Sequence, residues 1–512
     1  MNTRDAAELG RLSARRTADL VRKGEVSATD TVEAAIERIQ ESDTVINAVV
    51  FTAYDEARMR ARKLQDRIGR GDEVGALAGV PTLTKDSFSS KKGWPHSSGL
   101  SVLRGDLAQH TTNYPRRMEA ADAILLGTTN SAVFGFRGTT DSKAFGPCRN
   151  PHDPRLNAGG SSGGSAAVVA AGYVPVAGAT DVGGSIRIPS AWCGAYGFQP
   201  TPGRAPFPAR PNYFGPSPYF FEGPITRTVE DAALVMATLQ GYDSGDPAAL
   251  PGRLDFLAAH DRGRTTGLDG VRIGVTVDYG IYPVHAEIRE GFDRAVSVLG
   301  SLGAKVVEVD LQLPYTQAQL SDVWSRLTAI GTCSIIDALA ARGIDVRTQC
   351  PEELPDLMMR WVDVVGSMTV RELVRDQTVR SGVFGAFERA FQSIDLLIAP
   401  TVAHPPVPNA LDGFTQGPSE IEGQPVDPLI GWCMAYLTNF TGNPSASVPI
   451  IMTSGLPMGI QITGRPHGDL DVIEASAAFE KVRPWNAIYD RKNRDRGAAV
   501  IRTPIHMATD IS

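Results

Sequence analysis

Two short runs of glycine and serine constrain this chain more than any other feature. They are Gly159-Gly160-Ser161-Ser162-Gly163-Gly164-Ser165 and Asp181-Val182-Gly183-Gly184-Ser185-Ile186-Arg187, with an apolar run at 166–176 between them. Glycine permits backbone geometries that a Cβ forbids, and it lets amide N–H groups come close to a ligand. A serine hydroxyl serves as a nucleophile or a proton relay. Together these residues predict a site where a serine attacks and backbone amides stabilise the resulting anion. Two flexible loops would have the same composition. The second run, however, follows a strand-like segment and leads through Arg187 and Pro189 into a compact apolar stretch.

A third segment belongs with them. Gly79-Val80-Pro81-Thr82-Leu83-Thr84-Lys85-Asp86 reads as a short buried strand at 80–84 that ends on a lysine. On residue type alone such a lysine is a solvated charge or half of an ion pair. Two competing readings start from the glycines. Gly159-Gly160-Ser161-Ser162-Gly163 fits the G-x-S-x-G elbow of α/β-hydrolases, with Ser161 as nucleophile and His404 or His467 downstream. The preceding segment, NPHDPRLNAGG, is no strand, so the strand–turn–helix context of that motif is missing. A phosphate cradle would need a Gly-Lys-Ser/Thr sequence or an acidic ribose partner in place, and neither is present.

The run from Gly159 to Thr201, with GGSSGGSAA and GATDVGGSIRIPSAWCGAYGFQPT, resembles the amidase signature family of serine hydrolases. So do Gly203-Arg204 and the GVPTLTKD segment. The resemblance implies an α/β fold: one large domain with a central mixed β-sheet covered by helices. It implies Ser185 as nucleophile, Ser161 as a bridging serine after a cis Gly160–Ser161 peptide, and Lys85 as base. The amides of Val182, Gly183, Gly184 and Ser185 would form the oxyanion hole, and Ser162 would hydrogen-bond behind them. Asp181 and Arg187 flank the turn and are expected to pair and hold it. To act as a base, Lys85 must be neutral, and only desolvation or nearby positive charge moves it down from about 10.4. Asp86 is expected to hold neighbouring backbone, although a carboxylate too close would favour charged Lys85. Lys91 and Lys92 read as an exposed loop pair.

At 512 residues the chain has room for several average domains or one large one. The resemblance favours a single domain over 1–512: a helical layer at 1–75, a catalytic core at 79–240, and further sheet, helices and a variable substrate side at 270–480. A hydrophobic share of 42% and a charged share of 21% suit a soluble globular protein. A net charge of −7 with no basic block makes nucleic acid a poor partner. No secretory h-region and no membrane-length apolar run stand out. The five cysteines are dispersed and form no CxxC pair, against a disulfide scaffold or a zinc cage, and a reducing cytoplasm is the expected location.

Periodicity predicts helices through 5–70, one of them capped by Thr29 or Asp30 and another at 53–68, and helices at 229–239, 286–302 and 469–479. It predicts strands at 123–127, 271–275, 305–309, 395–401 and 455–461. Residues 243–269 read as a connection and 316–392 as largely helical, with Trp324, Cys333, Met358 and Trp361 as unranked pocket residues. Phe134 and Phe136 are pocket candidates. So are Tyr213, Phe214 and Phe220, from a stretch at 207–221 that carries six aromatics and four prolines. That stretch either lines a pocket for an aryl or long apolar group or packs on itself.

The expected reaction is hydrolysis of a small-molecule carboxylic amide, apolar or aryl, through an acyl-enzyme on Ser185. Ester, hydrazide or carbamate cleavage would follow the same path, and no metal or organic cofactor is called for. Two rivals stand: an amidotransferase component that supplies ammonia to its partner protein, and a non-catalytic binding scaffold. Homodimerisation is left open.

Overall fold

Short apolar runs become strands, and those inside the sheet, such as 81–85, 124–129 and 176–181, are buried along their whole length, as expected where helices cover both faces. The computed structural model describes residues 8–208, 220–410 and 412–489. In chain order the strands are Val49–Thr52 (β1), Pro81–Lys85 (β2), Ile124–Thr129 (β3), Val176–Asp181 (β4), Tyr196–Gln199 (β5), Phe221–Thr226 (β6), Arg272–Val275 (β7), Lys305–Glu308 (β8), Leu396–Pro400 (β9), Glu420–Ile421 (β10), Gln424–Pro425 (β11), Ser445–Ile451 (β12) and Pro457–Gly464 (β13). Eleven of them form one sheet in the order β1-β3-β2-β4-β6-β5-β12-β13-β9-β7-β8, and β10 and β11 form a separate hairpin.

The sheet is mixed. β3, β2 and β4 run parallel, as do β9, β7 and β8, and the strands from β4 through β6, β5, β12 and β13 to β9 alternate. Side chains on successive strand residues point to opposite faces. Ile124 and Leu126 accordingly join a core with Val32, Ile36 and Val168, while Leu125 joins another with Tyr114, Trp192 and Phe198. The chain is thus one domain with a large mixed sheet between helical layers.

Several elements differ from expectation. The first residues are not wholly helical, because Val49–Thr52 pairs antiparallel with β3 as an edge strand. The helix Ala28–Ile46 is capped by Ser27, whose hydroxyl accepts the Asp30 N–H, and not by Thr29 or Asp30. The connection after 243 contains a helix, Phe256–Thr266, capped by Asp255. Between Thr316 and Gln392 the chain is largely helical as expected, with long helices Gln317–Ala341 and Val370–Phe391 that each start in a capping box.

This topology places the site. β2 has β3 on one side and β4 on the other, so the connections leaving the carboxyl ends of these parallel strands diverge. A crevice at such a point is the usual ligand position in an α/β sheet. Lys85 ends β2 and Asp181 ends β4.

Candidate active site

Lys85 is fully buried at the end of β2. Its Nζ lies 2.8 Å from Ser161 Oγ and 3.0 Å from Thr180 Oγ1. Burial pushes the Lys85 ammonium down to about 7, against the opposing pull of the Asp181 carboxylate. The carboxylate acting on Lys85 is therefore Asp181. Asp86 turns to the backbone, accepting the N–H groups of Ser97 at 3.1 Å and Gly99 at 3.3 Å. Lys91 is not part of an exposed pair. It is buried between the carboxylates of Glu56 and Glu119 and over the Trp94 ring, whereas Lys92 is exposed.

Ser161 follows a glycine packed tightly against a neighbouring segment. A Cβ on Gly160 would meet the Thr139 carbonyl carbon at 2.5 Å, so only glycine fits there. The Gly160–Ser161 peptide is cis. The following serines are tied to β4: Ser162 Oγ donates to Thr180 O at 3.2 Å and Ser165 Oγ to Gly178 O at 2.8 Å. The helix Gly163–Ala170 starts directly after Ser162, includes Ser165 and is buried throughout.

β4 then delivers the second turn. Asp181 and Arg187 are both fully buried and form an ion pair at 3.0 Å. Burial pushes the Asp181 carboxyl up, but the Arg187 guanidinium, the Asn439 amide and the Ile186 N–H outweigh it, so Asp181 stays below the ordinary carboxylate range. Arg187 also donates to Ala435 O at 2.9 Å, Ser445 Oγ at 3.0 Å, Gln461 Oε1 at 2.7 Å and Asn439 Oδ1 at 2.7 Å. Ser185 lies inside this clamp and is 7% exposed, against 1% for Ser161. It is the more open of the two serines.

One expected oxyanion donor is otherwise engaged. The Gly184 N–H donates to Asp181 Oδ1 at 2.6 Å, and the Ile186 N–H donates to Asp181 Oδ2 at 3.0 Å. A carboxylate accepting that amide at short range leaves it unable to serve a second anion. Among the described residues, Asp181 takes these two amides and not those of Val182, Gly183 or Ser185.

Aromatic side chains border the lysine and the turn. The Phe88 ring lies 6.0 Å from Lys85 Nζ and packs edge-on against Phe220 at 5.1 Å, which in turn meets Phe207 at 4.2 Å. Phe134 and Phe136 are buried, and Phe136 meets Trp324 at 5.9 Å. Tyr213 and Phe214 lie outside the described residues. His404, a partner in the elbow reading, has its Nδ1 2.7 Å from Pro405 O, and its ring meets His285.

Sequence reasoning missed Thr180, Phe88 and Cys433, whose Sγ–H donates to Gly183 O at 3.1 Å, and gave Asn439, Ser445 and Gln461 no part in the site. Thr180 precedes Asp181 in a strand ending on the site, and that position was a usable signal. Asn439 and Ser445 lie in a segment, 439–446, and Gln461 in one read as a strand, 455–461, that both resemble the family's text, but their meeting at Arg187 joins elements more than two hundred positions apart, and no local pattern marks that meeting.

Fold and chemistry together define an amide hydrolase. The chain belongs to the Amidase family, whose model matches residues 30–473. It is similar to the crystal structure of a bacterial aryl acylamidase of the amidase signature enzymes, with 51% identity and a TM-score of 0.91 over 94% of this chain and 98% of that one. It is 31% identical to an acylamidase of Rhodococcus erythropolis over 93% of this chain and 96% of the relative. It is 30% identical to a glutamyl-tRNA(Gln) amidotransferase subunit of Anaeromyxobacter dehalogenans (strain 2CP-C), over 93% of this chain and 97% of the relative. Among the described residues no helix is long and apolar enough to cross a membrane.

Proposed function

We propose that this amidase cleaves aryl amides of small carboxylic acids through an acyl-enzyme on Ser185. The observation that carries the reading is the buried Lys85 amine, near neutrality at about 7 and 2.8 Å from Ser161 Oγ. A neutral amine there has a lone pair to accept the Ser161 proton, and Ser161 in turn takes the proton of Ser185. Ser185 Oγ forms a bond to the amide carbon, and the carbonyl oxygen becomes an anion met by the backbone amides of Val182, Gly183 and Ser185. Collapse breaks the C–N bond, and the departing amine takes the proton back through Ser161. Water then attacks the ester, the proton moves along the same relay, and the acid leaves.

The substrate class rests on two further observations. Phe88, Phe220 and Phe207 form a contiguous aromatic set beside Lys85, suited to an aryl leaving group. The similar structure at 51% identity is that of an aryl acylamidase. Aryl esters, hydrazides and carbamates carry carbonyls open to the same attack, and the pocket sets their relative rates. The likeness to the amidotransferase sequences keeps an ammonia-transferring role as a second reading, which requires a partner protein that co-purifies.

The test is hydrolysis of 4-nitroacetanilide against acetamide, followed by aniline and ammonia release, with peptide mapping after a serine-acylating probe. The reading expects a strong preference for the anilide and an adduct on Ser185 that is lost in Lys85→Ala. An adduct on Ser161 would overturn the assignment of nucleophile. Equal or better turnover of acetamide would overturn the aryl class.

A further inference from the structure

We propose that Trp324 is a positioning residue for the oxyanion site: its indole fixes the Val182–Gly183 peptide so that the Gly183 amide is the donor presented to the developing anion. The proposal rests on the acyl-enzyme reading above. Trp324 lies on the helix Gln317–Ala341, far along the chain from the glycine turn, and its Nε1–H donates to Val182 O at 3.2 Å. A trans peptide is planar with its C=O and N–H on opposite sides. A bond that holds the Val182 carbonyl therefore also sets the direction of the Gly183 N–H, away from the indole. Drawing electron density from the carbonyl strengthens that N–H as a donor.

The neighbouring peptide unit is treated differently. The Gly183–Gly184 unit is held at both ends: Cys433 Sγ–H donates to Gly183 O at 3.1 Å, and the Gly184 N–H is spent on Asp181 at 2.6 Å. Among the described residues the Gly183 N–H meets no protein acceptor, so of the two glycine amides it is Gly183's that is left for substrate. Glycine at 183 is itself explained by the indole. A Cβ there would lie 2.4 Å from Trp324 Nε1, so the close approach that makes the bond excludes every other residue. The ring is buried and wedged between Phe136 at 5.9 Å and Tyr436 at 6.4 Å, which leaves it little freedom to release the carbonyl.

The experiment replaces Trp324 by phenylalanine and, separately, by 3-benzothienylalanine, in which sulfur stands for the N–H and the bicyclic shape is kept. Each variant is assayed for kcat and KM on 4-nitroacetanilide, for inhibition by an aryl trifluoromethyl ketone, and for thermal melting. The ketone's adduct with a serine carries the oxyanion, so its affinity reports the donor directly. A whole oxyanion donor is worth about a hundred- to a thousand-fold in kcat, and its misdirection less. Both variants are therefore expected to lose about ten- to a hundred-fold in kcat and a parallel factor in ketone affinity, with KM within about two-fold. The proposal is overturned if kcat and ketone affinity hold while KM or melting temperature changes, which would make the indole a pocket wall only. If the phenylalanine variant does not fold, the benzothienyl variant decides. Ser185→Ala is run alongside: residual turnover or a covalent ketone adduct there would sink the acyl-enzyme reading itself, an outcome separate from either result at Trp324.

Discussion

The Thr180 hydroxyl oxygen lies 3.0 Å from Lys85 Nζ, so the buried amine has two hydroxyl partners, Thr180 and Ser161. A neutral amine has two N–H donors and one lone pair. With Thr180 Oγ1 accepting one N–H, the lone pair is held for Ser161. Hydrogen bonds to a charged donor are the stronger ones, so Thr180 also favours the ammonium over the amine. Thr180→Val is expected to lower the Lys85 pKa further and shift the acid limb of kcat/KM to lower pH. The plateau rate should fall about ten-fold as the amine loses its orientation. A pH–rate profile of the variant checks both; an unmoved limb would mean that Thr180 does not touch the titrating group.

In the unmodified protein the same geometry fixes a pH dependence. Lys85 is held near 7 by burial, and in the proposed relay only its neutral form takes the Ser161 proton. Below about 7 the amine is protonated, and kcat/KM is expected to fall about ten-fold per pH unit. Above that value it levels off. Lys85→Arg should be inactive at every pH from 6 to 9, because a guanidinium stays charged throughout. Measurable turnover by Lys85→Arg would show that some other group takes the Ser161 proton.

How much of this was legible in the sequence follows from where the information lies. The buried strands and the closing helices announce themselves by local pattern, and the structure returns Val229–Leu239 and Ala286–Ser301 almost as read. The Lys85–Ser161 meeting depends on two segments set by parallel pairing of β2 and β4, and the motif resemblance supplied it before any register was known. The β1 edge strand was hidden, since Val49–Thr52 is short and lies between two helices. Which amides of the glycine turn are free was also hidden. That depends on where the Asp181 oxygens and the Trp324 indole end up, a matter of packing across the whole domain.

Burying Lys85 also has a cost in stability. Its folded value, about 7, lies below the unfolded one near 10.5, so stability linked to the neutral amine is fully present above about 10.5. It is lost as pH falls toward 7. Lys85→Met keeps volume and removes the ionisable group. The variant is expected to be inactive yet more stable than the parent at pH 7 by a few kcal/mol, at about 1.4 kcal/mol per pKa unit. That advantage should shrink toward zero near pH 10. Denaturant melts of both proteins at the two pH values read the difference directly, and a Met variant less stable at pH 7 would count against a neutralised lysine.

Glu480 gives the opposite slope. It lies buried near the end of the helix Asp469–Val482, and its Oε2 accepts the Val229 N–H at 3.2 Å. Burial raises its carboxyl to about 8, with Asp231 and Glu230 adding repulsion, while the Val229 amide and Arg264 pull the other way. A carboxyl raised above its unfolded value contributes stability that is complete below about 4.5 and is lost as pH rises through 8. Glu480→Gln keeps an acceptor for the Val229 N–H and removes the ionisation. The variant is expected to match the parent at pH 4.5 and to exceed it at pH 8.5 by a few kcal/mol, at about 1.4 kcal/mol per pKa unit. Because Glu480 is remote in sequence from the Lys85–Ser161–Ser185 set and touches none of it, kcat at neutral pH should be unchanged. Urea unfolding at both pH values, paired with a 4-nitroacetanilide assay, separates the two effects; equal stability of variant and parent at pH 8.5 would show that Glu480 ionises at its ordinary pH.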